Sequence, residues 1–240
     1  MSANNKNQNL TNLASPKIGT KIIEVSDDFF GEASRMLDDK EPVFIEDKYD
    51  EHGKWMDGWE SKRRRDGGND WAIIELGSPG IITEIDIDTS FFTGNFPPFA
   101  SIEGLYSDQK PSKDSDWIEI LSKTSLKGDS GNKFKIESKT KVNYIKLQIF
   151  PDGGVARLRL FGEVKLNWDN YGNKNDLIEL SSLKLGGSIV AYNNAHYGDV
   201  SALLSHGRGK TMGDGWETRR RREPGNDWII IKLATKGSIK

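Results

Sequence analysis

The chain has 240 residues, a net charge of −2, 35% hydrophobic and 29% charged residues. That length admits one large or two modest domains, and a charge so balanced argues against a general nucleic-acid binder. Cysteine is absent, which excludes disulfides, thiolate metal sites and a cysteine nucleophile, and fits a reducing compartment.

From the N-terminus, residues 1–15 read as a polar lead without the apolar segment of a secretory signal. No apolar run approaches the length of a membrane span, so a cytoplasmic location is expected. Over 27–37, Phe29, Phe30, Ala33, Met36 and Leu37 fall near helical spacing. This predicts a short helix or helical turn with Ser26 or Asp27 as N-cap.

Residues 57–76 read DGWESKRRRDGGNDWAIIEL, and residues 214–233 read DGWETRRRREPGNDWIIIKL. Fourteen of the twenty positions are identical, so the chain is a tandem repeat. Upstream, Leu10, Leu13, Ser15 and Lys17 align with Leu177, Leu180, Ser182 and Lys184. The offset there is 167, against 157 in the core stretch, so the first copy carries ten extra residues around 40–54.

Beyond the repeated stretch the first copy reads as β-structure. Strands are expected at 71–76, 81–89, 101–106, 117–121, 133–136, 143–150 and 155–164. In 81–89, alternation sends Ile81, Thr83, Ile85 and Ile87 one way and Glu84, Asp86 and Asp88 the other. Ile145, Leu147 and Ile149 should point inward. Many short strands between polar turns indicate an all-β, antiparallel jelly-roll sandwich. The domains then run 16–166 and 177–240, with 167–176 as linker. The second copy stops at Lys240, the counterpart of Thr83. It therefore reads as incomplete, unless the first domain or another subunit supplies the missing strands.

Several long motifs in the same order resemble the allantoicase family. They are DGWESKRRR at Asp57, NDWAIIELG at Asn69, EIDIDTSFFTGNFPPFASIEGLY at Glu84 and KLQIFPDGGVARLRLFGEV at Lys146. In the second copy they are KLGGSIVAYNNAHYG at Lys184 and GRGKTMGDGWETRRRR at Gly207. The resemblance implies two galactose-binding-like jelly-roll repeats. It also implies hydrolysis of allantoate to ureidoglycolate and urea in purine degradation. The partner would be that small molecule, with self-association into a homo-oligomer and no nucleic acid or membrane. No cofactor is implied, and His52, His196 and His206 lack metal-ligand spacing. Other readings of the same fold are a non-catalytic ligand-binding module and an inactive fragment.

Allantoate carries one carboxylate and two ureido groups. A carboxylate suits a guanidinium fork, ureido N–H groups need fixed acceptors, and cleavage needs an acid for the departing urea and a base for water. In an extended segment Arg63 and Arg65 share a face while Arg64 points away, which makes the outer two the carboxylate candidates. The same arginines also suit a solvated charge run neutralised by Asp57, Glu60, Asp66 and Asp70. Glu60, beside Trp59, is the acid/base candidate, with Asp57 second. Asp88 and Asn95, near the end of a strand, are the candidate ureido acceptors. Arg157 and Arg159 read as structural, one of them paired with Asp86 or Glu103.

Overall fold

The computed structural model describes residues 10–171, 176–198, 200–209 and 211–239. Most of the expected N-terminal lead and the middle of the linker lie outside these residues. The lead is shorter than expected, because Leu13 and Ala14 are fully buried. Among the described residues no helix is long and apolar enough to cross a membrane.

Among the described residues fourteen strands occur in chain order. They are β1 (Thr11–Asn12), β2 (Lys21–Val25), β3 (Tyr49–Asp50), β4 (Gly53–Lys54), β5 (Trp59–Glu60), β6 (Asp70–Asp88), β7 (Phe99–Leu105), β8 (Ile118–Ser125), β9 (Gly131–Lys135), β10 (Lys141–Phe150), β11 (Gly154–Val155), β12 (Arg157–Val164), β13 (Ser188–Tyr192) and β14 (Ile229–Lys232). The chain divides into two compact units, Asn12–Gly162 and a second that joins the residues up to Thr11 with those from Glu163 onward.

The first unit is built around β6. The sequence suggests two strands here, split at Gly77-Ser78-Pro79-Gly80, but β6 runs unbroken for 19 residues. Its two halves take different partners. Residues 70–75 lie between β2 and β10, whereas Glu84–Asp88 pairs with β9. The other side of that second half meets β12, where Ala156 N donates to Asp88 O at 2.8 Å and Thr83 Oγ1 to Phe161 O. One strand thus serves both layers of the jelly-roll sandwich. β10 continues the first layer through β7 to β8.

The core follows the alternation of β10, with Ile145, Leu147 and Ile149 fully buried. In β6 the expected phase is only half right. Ile85 and Ile87 are fully buried, but it is Ile82, not Ile81, that is buried beside them. Asp86 and Asp88 are buried as well, since this half of β6 is covered on both faces.

The expected helical turn is a 3-10 turn at Ala33–Leu37 that buries Ala33, Met36 and Leu37. Glu32, not Ser26 or Asp27, stands at its N-cap. The Ser26 hydroxyl is engaged elsewhere, donating to Asp70 Oδ1 at 2.9 Å.

The last expected strand is broken at Ala156 into β11 and β12, and β11 pairs with β5. The turn before it requires glycine twice. Gly153 has φ 139°, and a Cβ on Gly154 would overlap the Phe92 ring. Phe92 is fully buried with Met56 and Ala156, and Phe96 packs on them. This small cluster fastens the loop after β6 to the start of β11. Gly154→Ala is therefore expected to destabilise the first unit by about 1–3 kcal/mol through overpacking. Urea unfolding checks this, and an unchanged midpoint would contradict the packing.

The second unit repeats the start of the first in detail. β13 pairs with β14 in the same register, and with the same bulge, as β2 with residues 72–75 of β6. Gly19 and Gly186 close equivalent 3-10 turns at φ 101° and 102°. Trp59 Nε1 donates to Asp27 O, and Trp216 Nε1 to Asn194 O. Ile189, Val200 and Leu204 form its small core.

Candidate active site

The middle arginine of the repeated motif is a structural residue. Arg64 Nη1 donates to Asp70 Oδ1 at 2.6 Å, and its Nε and Nη2 bind Asp66 at 3.1 Å. Asp70 is buried and Arg64 about one quarter exposed. The bonds to Asp66 first, and then to Asp70, push the Arg64 guanidinium further up. The Arg64 backbone N–H is held by Asp152 Oδ2 at 2.7 Å. The second copy reproduces the pair, with Arg221 Nη2 on Asp227 Oδ1 at 2.7 Å.

Arg63 and Arg65 are exposed and have no carboxylate partner among the described residues. The alternation expected from the sequence is therefore present. The fold uses the inner arginine and leaves the outer two to solvent.

Glu60 lies in β5, fixed on both sides. Its backbone pairs with Gly154 of β11 and bonds reciprocally with Gly31 at 3.0 Å. Its Oε1 accepts a hydrogen bond from Asn95 Nδ2 at 2.7 Å. Burial pushes the Glu60 carboxyl above its ordinary range, the Asn95 bond pulls it partly back, and the Asp50 charge raises it. Two residues chosen separately from the sequence, 35 positions apart, thus meet. What joins them is Asn95 O, which accepts from Gly154 N at 2.7 Å, next to Glu60 in the ladder.

Asp57 does not join them. Its Oδ2 accepts from Arg157 Nη2 at 2.8 Å and from Val43 N at 2.9 Å. Asp88 is also committed elsewhere. It is buried, its Oδ1 accepts from Ser90 N and Oγ, and its Oδ2 lies 3.7 Å from Arg159. The expected pairing of an arginine with Asp86 or Glu103 is replaced as well. Arg157 takes Asp57, Arg159 takes Glu41 and Asp88, and Glu103 takes Lys146 at 2.6 Å. Burial pushes Asp86 above the ordinary aspartate range, with Lys133 opposing and Asp88 adding to the rise.

Asp50 is the residue near Glu60 that sequence reading missed. It lies in the ten-residue excess of the first copy, and that length difference was the only available signal. In the second unit Asn194, the arginines at 219–222, Glu223 and Asp227 line a cavity of about 320 Å³. Glu217, the counterpart of Glu60, does not line it. Among the described residues no three His, Asp or Glu side chains converge as a metal site.

The allantoicase repeat profile matches this chain twice, over residues 11–165 and 178–240. The chain belongs to the allantoicase family. A probable allantoicase of Burkholderia mallei is 48% identical over 230 residues, covering 95% of this chain and 68% of that protein. A probable allantoicase of Acinetobacter baylyi is 47% identical over 231 residues, covering 96% and 68%. Among solved structures, the crystal structure of allantoicase from Saccharomyces cerevisiae superposes with a TM-score of 0.82 at 34% identity. It covers 96% of this chain and 70% of that one. A further allantoicase structure gives 0.80 at 33% identity. The two matched stretches are the two copies whose β2 and β13 pairings share one register.

Proposed function

We propose that this chain hydrolyses allantoate to ureidoglycolate and urea, with the chemistry in the first repeat. The observation that carries the site assignment is the Glu60–Asn95 bond in a half-buried position, within a member of the allantoicase family. In this reading water forms a bond to the central carbon, the C–N bond to one ureido group breaks, and the departing nitrogen takes a proton. Glu60 is the acid that supplies it, and the proton shed by the attacking water returns to the Glu60 carboxylate and restores it. A carboxyl raised by burial keeps its proton nearer neutrality than an exposed glutamate does. Asn95 occupies Oε1, which leaves Oε2 to carry the proton.

Arg63 and Arg65, both exposed, are free to bind the substrate carboxylate through their guanidinium forks. Asn95 also offers its carbonyl to a ureido N–H. Asp57, whose Oδ2 is held by Arg157 and Val43, and Asp88, whose Oδ1 is held by Ser90, support the frame in this reading. Two finer points belong to the same reading. A cytoplasmic location rests on the cysteine-free composition, and homo-oligomerisation on the exposed rings of Phe91 and Phe99.

The experiment is urea release from allantoate by the purified chain. Release above the buffer rate supports the reading. No release, with sugars bound instead, would leave a ligand-binding module. The pH profile tests the role of Glu60. As an acid it works protonated, so kcat/KM should fall as pH rises through its raised pKa. Asn95→Ala removes the bond that lowers that pKa, so the fall should move to higher pH. A profile that stays in place, or moves down, would count against Glu60 as the donor.

A further inference from the structure

Arg157 is the most deeply buried cation described, with 1% of its side chain exposed. Burying a guanidinium costs several kcal/mol unless every donor is met, and an apolar side chain fills such space at least as well. Here each of the three nitrogens is engaged, and the partners share a pattern. Nε donates to Lys40 O at 2.7 Å, Nη1 to Ala156 O at 2.7 Å and Asp57 O at 3.0 Å, and Nη2 to Asp57 Oδ2 at 2.8 Å. Asp57 Oδ2 in turn accepts from Val43 N. Lys40 and Val43 begin the insertion at residues 40–54. Arg159 reaches it too, through Glu41 at 3.0 Å.

The insertion is ordered by its own contacts. β3 and β4 form a hairpin, Trp55 N donates to Lys48 O, and Lys48 Nζ sits 3.4 Å from the centre of the Trp55 ring. It also faces the Glu60 site in two ways. Phe44 stacks on Phe91 at 5.8 Å, four residues before Asn95, and Asp50 acts on Glu60 through its charge. Phe91 is held at φ 70°, with its N–H on Asp129 Oδ1 at 2.7 Å. Such a conformation in a bulky residue persists only where its surroundings fix it. In the second repeat, five residues at 207–211 stand in place of the fifteen. There Asp214, the counterpart of Asp57, accepts from Thr211 N and Oγ1 instead. The aspartate of each repeat thus holds the loop before it, Asp57 near the start and Asp214 at the end, and the first loop is ten residues longer.

We propose that Arg157 is a positioning residue which, through Asp57 and the Lys40 carbonyl, sets the 40–54 insertion as a wall beside Glu60 and Asn95, and that this wall determines how tightly the ureido substrate is held. The second half rests on the allantoate reading; the first half does not. Two measurements on the intact chain separate them. Trypsin cleavage at Lys48 and Lys54 reads the clamp without catalysis. Arg157→Lys and Asp57→Asn should speed that cleavage about tenfold, with the far-ultraviolet spectrum unchanged. Phe44→Ala, at a half-exposed position, should fold normally and raise KM for allantoate about tenfold with kcat within about threefold. Asp57→Asn should give the same split. Unchanged cleavage in Arg157→Lys and Asp57→Asn overturns the clamp, and native KM in Phe44→Ala overturns the wall. Loss of kcat at native KM in Asp57→Asn would make Asp57 catalytic and end its positioning role. A native chain that releases no urea defeats the allantoate reading, while the trypsin measurement still decides the clamp.

Discussion

Glu60→Gln should lower kcat for urea release by about 10²–10⁴-fold, the usual contribution of a positioned acid or base. KM should stay within about threefold and the melting temperature within a few degrees. The reason is local. Gln keeps an oxygen that accepts from Asn95 Nδ2, and it leaves the backbone pairing with Gly154 and Gly31 untouched. Only the exchangeable proton is lost. Urea release measured beside a thermal melt separates this from a folding defect. If kcat survives within about threefold, another group protonates the leaving urea, and the site has to be sought elsewhere.

Three adjacent arginines should respond to alanine in two different ways. Arg64→Ala leaves Asp70 buried without its cation, and the lost pair should cost about 2 kcal/mol. That is below the usual loss for a fully buried pair, because the Arg64 end is partly in water. It corresponds to a drop of roughly 4–8 °C in a chain of this size. Arg63→Ala and Arg65→Ala should change stability by no more than about 0.5 kcal/mol, since neither side chain is engaged. Their effect should fall on KM, through the lost grip on the substrate carboxylate. Urea denaturation and steady-state kinetics on the three variants test this. A stability loss in Arg63→Ala equal to that in Arg64→Ala would contradict the division of labour.

That division was legible because it follows from backbone geometry alone. An extended segment sends neighbours to opposite sides whatever lies around it. The tandem repeat and the β-rich class were legible for similar reasons, and the register of β13 on β14 copies that of β2 on β6 residue for residue. Local reading failed where a partner lay far along the chain. Asp57 and Glu60, three residues apart, were both acid/base candidates, with Glu60 first. Arg157, a hundred positions on, claims one of them, and Asn95 the other. Ser26 has the composition of a helix cap and serves instead to hold Asp70. Asp88 follows an exposed-looking alternation, yet the second layer covers it.

The sequence by itself determined that there are two copies of one β-built unit, that the acids and arginines sit together before a strand, and that Arg64 differs from its two neighbours. These are properties of local spacing and of self-similarity, and they need no knowledge of the rest of the chain. Only the tertiary structure decided which carboxylate stays unpaired by a cation, because that choice is an energetic contest among distant groups. A buried guanidinium must find an anion, and the Asp57 side chain lies within its reach. Glu60 is left with an amide for a partner, in a half-buried place where burial raises its carboxyl above the ordinary range.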